Sequence, residues 1–476
     1  MSQSLIYAAF SLALLLIGVF ALRRLWLGAL AGILFLAIAH GRMQGWDVLL
    51  PTAIDAVIIW LELGLLIKGA YFFYLLLEKR QQMESFNSQL GSVGKRLPVL
   101  LLFSWFLGSL MEGVAGFGIP AMVVAPLLFS LGFRPLTCAV IPLAANTAPV
   151  TFGALATPLR IGLGITATSE PIVQYVALLN ALPIMAMPWL LAWLYAFTEK
   201  VTIQWQKEWK GLLLAGLCFL IPYLVGSYLA IELPAVLAGG IGMIAFAVVV
   251  LPAQHRPPAS LWWKTFFPYL LFVVVLILAA GLLKPFSWQI AESSRKISLF
   301  QPGLVFILVG LFFQLLAEGG SSLHLVGQSL AQSFDKVRLT LLSIFLLVFF
   351  TQLVGLDMTA AYADVTPQGQ LMKWIFFPHL SGIVGSFITG SATMGNLLFA
   401  PGLKQLVAGS SWEAISLALL HSGSALGNAI SLQNILMVQS VLPTEAEEAR
   451  IMQLNMPVVA AYMAIVCAIA WLIMHW

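Results

Sequence analysis

Apolar runs of about 17–25 residues recur along the whole chain, the length a helix needs to cross about 30 Å of hydrocarbon. They fall at Leu5–Leu22, Trp26–Ala39, Leu49–Leu77, Leu97–Leu110, Ala121–Phe133, Pro135–Leu159, Ile172–Phe197, Leu212–Ala230, Val236–Leu251, Phe266–Leu283, Pro302–Leu316, Leu339–Leu356, Trp374–Thr389, Leu397–Leu406, Ala414–Leu442 and Pro457–Trp476. Several are too short or too rich in Gly and Pro to span, so about eleven to thirteen crossings are expected. Of 476 residues, 61% are hydrophobic and 9% charged. A soluble domain carries about 25% charge, so a soluble fold, disorder and a nucleic-acid-binding domain are excluded. Strand-like alternation is absent, which argues against a β-barrel. The fold expected is an all-α polytopic membrane protein.

Charge and cysteine add little. The net charge is +4, and Cys138, Cys218 and Cys467 all sit inside apolar runs, where they read as packing residues rather than disulfide halves. The first residues lack a basic n-region and a small-residue cleavage site, so Leu5–Leu22 is expected to be a retained helix. Lys79, Arg80, Lys95 and Arg96 mark a cytoplasmic loop, and counting back three helices puts Arg23 and Arg24 on the same side. Lys200, Lys207 and Lys210 form a further basic loop. Ala317–Arg338 mixes polar and apolar residues, the pattern of an interfacial segment or of an ordinary loop.

Two regions break the helix rules. The first reads EGVAGFGIPAMVVAP over 112–126 and NTAPVTFGALATP over 146–158. The second reads GIVGSFITGSATMGNLLFAP over 382–401 and HSGSALGNAISLQN over 421–434. Irregular backbone survives at membrane depth only inside protein or beside a watery cavity. Broken helices in corresponding places are the usual pointer to a transporter's binding site. Here the places correspond at one offset: Ala125-Pro126 and Ala400-Pro401 are 275 apart, as are Asn146 and His421. The pattern reads as a degenerate internal repeat.

A broken helix exposes N–H groups that attract an anion and carbonyls that can hold a cation. Gly116 and Gly118 would let backbone approach a ligand. Asn146, Thr147, Thr151, Ser391, Thr393, Asn396, Ser422, Asn428 and Gln433 offer neutral hydrogen bonds, as do Thr389, Ser431 and Asn434. Close helix packing through small residues is the plainer alternative for any single Gly or Ser. Ionisable residues inside the runs are functional candidates by default: Asp55, Glu62, Lys68, Glu112, Arg160, His379 and His421. Glu112 directly precedes the first glycine cluster and reads either as a proton-coupling group or as a cap on the next half-helix. His421 reads either as a titrating or anion-binding group or as a satisfied buried histidine. Arg160 reads as a partner for a substrate carboxylate or as a residue at the membrane face. No HExxH, Walker A or CxxC pattern occurs.

The EGxAGFGxP pattern at 112–120 and NTAPVxFGAxxxP at 146–158 closely resemble the L-lactate permease family of bacterial secondary transporters. The second cluster resembles it more loosely, with TGSATMGN at 389–396 and HSGSALGNAISLQNI at 421–435. The resemblance implies proton symport of lactate, glycolate or similar hydroxy acids. It also implies two repeats with broken or re-entrant helices and a transport domain moving against a scaffold. Four departures stand out: Asn428 where the family has Lys, Leu432 where it has Pro, His421 where it has Asn, and Met394-Gly395 in place of a Ser pair. Without the lysine, helix ends and His421 must hold the carboxylate, or the substrate is not lactate.

The function expected is alternating-access transport of a small organic monocarboxylate. Its substrate site would take Gly116, Gly118, Asn146, Thr147, Thr151, Ser391, Thr393, Asn396, Ser422, Asn428 and Gln433, with Glu112 or His421 carrying the proton. Sodium coupling is the alternative, and an intramembrane enzyme or receptor on the same scaffold is the rival class. No cofactor, metal or nucleic acid is expected. The partners are the organic anion, H+ or Na+ and the bilayer of a bacterial inner membrane, with a homodimer left open. The division expected is 1–96 as first-half helices, 97–160 as the first broken region, 161–338 as connecting and scaffold helices, 339–442 as the second broken region and 443–476 as a C-terminal helix.

Overall fold

The structure is a computed structural model, and it describes residues 3–22, 24–43, 47, 49–78, 96–114, 116, 118–165, 168, 170–250, 267–268, 271–272, 274–275, 278–279, 281–283, 286–289, 296–318, 323–365, 376–442 and 448–475. Helices dominate, because a chain this apolar must satisfy its backbone internally. Helices α1 (Gln3–Phe20), α2 (Leu25–Met43) and α3 (Leu49–Glu78) open the chain. Arg96–Leu101 (α4) runs through a π-helical stretch, Leu102–Leu107, into Gly108–Val114 (α5). Then come α6 (Ile119–Ser130), α7 (Pro135–Ala145), α8 (Thr147–Val150) and α9 (Gly153–Arg160). Longer helices α10 (Pro171–Glu199), α11 (Trp205–Leu229) and α12 (Pro234–Val250) follow. Beyond a two-stranded antiparallel pair, Ser287–Gln289 with Lys296–Ser298, lie α13 (Pro302–Glu318) and α14 (Leu323–Val365). The chain ends with α15 (Phe376–Thr389), α16 (Ala392–Val407), α17 (Glu413–Gly427), α18 (Leu432–Ser440) and α19 (Glu448–His475).

Among the described residues α10, α11 and α19 are long and apolar enough to cross a membrane, and α17 with α18 forms a pair bent by 43°, the geometry of a broken span or of a re-entrant loop. Several shorter apolar helices accompany them. Every apolar run read from sequence has helix in it, though Phe266–Leu283 is described only in part. Two readings change. The run Pro135–Leu159 is three helices, interrupted at Asn146 and at Thr151-Phe152. The segment Ala317–Arg338 is not a loop from Leu323 onward; it is the start of α14, 43 residues long. At 1.5 Å per residue such a helix reaches about 65 Å, twice the hydrocarbon thickness, so its polar first half extends beyond the apolar core.

Packing holds the broken segments in place. Trp105 stacks on Phe219 at 4.4 Å, and Phe106 stacks on Phe246 at 5.2 Å, tying the π-helical stretch to α11 and α12. Helices α15 and α17 approach at glycine: a Cβ at Gly423 would meet the His379 carbonyl. The three cysteines are free, as the sequence reading expects.

Candidate functional site

The helix breaks fall where the glycines are. Helix α5 ends at Val114, Gly116 (φ 61°) and Gly118 (φ 78°) turn the chain, and α6 begins at Ile119. In the second region α15 ends at Thr389, Gly390 (φ 67°) turns the chain, and α16 begins at Ala392. A left-handed backbone costs a side chain what it does not cost glycine. Val114 and Thr389, the two helix ends, are again 275 apart. The N-cap residues, Gly118 of α6 and Ser391 of α16, both line one small cleft of about 30 Å³. That volume admits a water or two. Two helix N-termini thus present partial positive charge to a single small cleft.

Glu112, Asn146, Thr393, Asn428 and Asn434 complete its polar lining. Glu112 is buried, and its Oε2 accepts from Asn146 Nδ2 at 2.8 Å. Among the described residues it caps no backbone N–H, and the N-cap of α6 is Gly118, which has no side-chain cap. Among the described residues no cation pairs with it, the ion pairs there being His40–Asp357 and Arg160–Glu232. Asn146 Oδ1 and Asn428 Oδ1 are buried without a hydrogen-bond partner. Unpaired buried acceptors at a cleft are the groups a ligand or its water would satisfy.

Of the residues expected at the site, the structure brings Glu112, Gly116, Gly118, Asn146, Ser391, Thr393 and Asn428 to the cleft. The others stand behind it. His421 Nε2–H donates to the Thr151 carbonyl (2.7 Å), which forces Nδ1 to accept from Asn396 Nδ2–H (2.8 Å). Asn396 Nδ2 also donates to the Pro158 carbonyl at 3.0 Å. The imidazole is therefore neutral in this arrangement, with both nitrogens in use. It pins α17 to the second break of the first region. Thr151 Oγ1 donates to the Ala148 carbonyl and accepts from Tyr223 OH at 2.8 Å. Thr147 Oγ1 donates to the Ala144 carbonyl. Ser422 Oγ donates to Asn180 Oδ1, which also accepts from Tyr462 OH. Gln433 packs against Gly390 rather than facing the cleft.

Arg160 lies at the exposed face, paired with Glu232 at 2.5 Å. His379 is buried and donates Nδ1–H to the Leu419 carbonyl. Asp55 is buried in α3, and Glu62 Oε1 accepts from Gln301 at 3.4 Å. Sequence reasoning missed Tyr223, Asn180 and Tyr462. Each is a lone polar side chain in an apolar helix, with no local pattern to mark it.

The two regions interlock crosswise. A Cβ at Gly118 would lie 2.8 Å from Met437 of α18, and one at Gly162 would lie 2.8 Å from Asn396 Cβ of α16. Positions 162 and 437 are themselves 275 apart.

A helical membrane chain whose broken segments enclose a polar cleft of this kind has the makings of a permease rather than an enzyme. The sequence profile of the L-lactate permease family matches residues 4–258 and 251–476. The chain belongs to that family, and is a multi-pass membrane transporter. It is 25% identical to the L-lactate permease of Bacillus subtilis (strain 168), over 93% of this chain and 90% of the relative. It is 25% identical to the glycolate permease GlcA of Escherichia coli (strain K12), over 78% and 77%. It is 27% identical to the L-lactate permease of Streptococcus iniae, over 64% and 69%.

Proposed function

We propose that the chain carries a small 2-hydroxy monocarboxylate, lactate- or glycolate-like, together with a proton across a bacterial inner membrane. The observation that carries this is the buried Glu112 carboxyl, held by Asn146 in a cleft with two helix N-termini and no cation beside it among the described residues. The N-termini and the amides of Asn146, Asn428 and Asn434 favour a carboxylate, while Glu112 offers a place for the proton. The relatives named for lactate and glycolate transport support the substrate class.

His421, the other expected proton carrier, acts in this reading as a structural pin. The matched helix ends and the crosswise contacts of Gly118 with Met437 and of Asn396 with Gly162 support two repeats. On this reading 97–160 and 339–442 form the moving transport unit, and the helices of 1–96 and 161–338 form the scaffold. The cleft has room for only a water or two, which fits a step of alternating access without bound substrate.

Uptake of labelled lactate or glycolate into proteoliposomes tests the proposal. It predicts accumulation driven by an inward proton gradient and abolished by collapsing that gradient. Uptake that follows sodium and ignores pH would remove the proton from the mechanism and keep the carboxylate. Failure of counterflow with every short organic acid tried would overturn the substrate assignment.

A further inference from the structure

A second cavity, of about 280 Å³, lies apart from the polar cleft and shares none of its residues. It forms where the starts of α4 and α11 meet the end of α12. Its walls are apolar, including Leu97, Leu101, Phe246 and Val249, while Lys207 and Lys210, one turn apart on α11, line it on the polar side beside Glu208. Among the described residues neither ammonium is in an ion pair.

Its depth in the bilayer can be read from α11. Trp205 and Trp209 are exposed in the first turns, and Lys210 Nζ sits 5.7 Å from the Trp209 ring. Below them Leu213, Leu217, Ile221 and Val225 are exposed along the same helix. Tryptophan and lysine above exposed aliphatic residues mark the headgroup layer. The cavity also brings the beginning of α4, which starts at Arg96 and follows Lys95 in sequence, beside Lys207 and Lys210. Two basic loops therefore share one membrane face, the cytoplasmic one by the positive-inside rule. The anionic lipids of a membrane are drawn to such basic pockets between helices.

We propose that this cavity binds an anionic phospholipid, with its phosphate against Lys207 and Lys210 and an acyl chain along Leu97, Leu101 and Phe246. Charge complementarity selects the headgroup, and the apolar walls select a lipid over a free anion. Glu208 disfavours a second negative charge close by, so a headgroup with one phosphate fits best. The occupant would brace α4, one π-helical stretch away from the arm that carries Glu112.

Native mass spectrometry of the full chain, released from bilayers of phosphatidylglycerol and phosphatidylethanolamine, tests this. The wild type should retain phosphatidylglycerol in preference. The double variant Lys207→Gln, Lys210→Gln should weaken that retention about 25-fold, at about fivefold per lysine. Gly211 lines the cavity with open space at its Cβ position. Gly211→Phe, with both lysines intact, should therefore displace the lipid, and it decides the matter if the double variant does not fold. Equal retention of the two lipids overturns the proposal. So does unchanged phosphatidylglycerol in either folded variant.

Discussion

Replacing Gly153 by alanine should damage transport while leaving the fold in place. A Cβ there would overlap Glu112 Oε1, with the carboxyl carbon and Cγ at 3.1 Å. The obstacle is the end of a side chain, so Glu112 can rotate away instead of the backbone shifting. Overpacking costs about 1–3 kcal/mol if nothing moves. Rotation instead gives up the Asn146 bond, about 0.5–1.5 kcal/mol net. The stability loss is therefore small in either case. The functional loss is larger in proportion, because 1.4 kcal/mol at the proposed coupling group is a factor of ten. We expect Gly153→Ala to purify as a folded protein, with proton-driven uptake into proteoliposomes reduced about tenfold. Gly423→Ala is the contrast: its Cβ would meet the His379 backbone carbonyl, so α15 and α17 must separate and the protein should fail to fold. Thermal unfolding and uptake, measured on both variants, distinguish the two outcomes. Wild-type uptake and coupling in Gly153→Ala would refute the placement of Glu112 at the functional centre, and so would unfolding as severe as that of Gly423→Ala.

Other variants probe the same cleft. Glu112→Gln keeps the hydrogen bond to Asn146 and removes the titrating proton, so counterflow should survive while accumulation against a gradient is lost; retained accumulation would move the proton elsewhere. His421→Ala orphans the Thr151 carbonyl and an Asn396 N–H, each costing about 1–3 kcal/mol, and should lower the thermal midpoint by several degrees. His421→Gln, which can donate and accept at the same time, should keep pH-driven uptake, and a folded but uncoupled His421→Gln would make the histidine the proton carrier. Asn428→Lys restores the charge expected from the family pattern and should shift substrate preference toward lactate, read from competition by unlabelled acids; an unchanged profile would make the residue neutral for selectivity.

Much of this architecture could be read in advance because hydrocarbon leaves so few choices. Apolar runs had to be helices, and α1, α3 and α10 lie within a few residues of the runs that predict them. The breaks at Gly116–Gly118 and at Gly390 were legible because left-handed backbone demands glycine. The lining of the cleft was legible for Glu112, Asn146 and Asn428, which sit at or beside those breaks. What stayed hidden depends on contacts between distant segments. His421 and Asn396 look like ligands by type, yet His421 Nε2 and Asn396 Nδ2 donate to the carbonyls of Thr151 and Pro158, more than 200 positions away. Tyr223 reaches Thr151 from the middle of an apolar helix, where no spacing rule marks it. The length of α14 escaped for a different reason: polar residues ended the apolar run but did not end the helix.

The low charge of the chain bears on how coupling could work. An anion drawn to the N-termini of α6 and α16 comes to the cleft that Glu112 lines. Two negative charges about 4 Å apart repel by about 4 kcal/mol at an effective dielectric of 20, roughly a thousandfold in occupancy. With no cation beside Glu112 among the described residues, only the partial charges of the helix N-termini offset part of that repulsion. In the proposed function the substrate would then share the cleft only with the protonated carboxyl, leaving the loaded site neutral apart from the ends of the helices. A lysine at position 428 would weaken this exclusion by offsetting one charge. A family member with asparagine there should therefore depend on the proton more strictly than one with lysine, and Asn428→Lys should loosen coupling as well as alter selectivity.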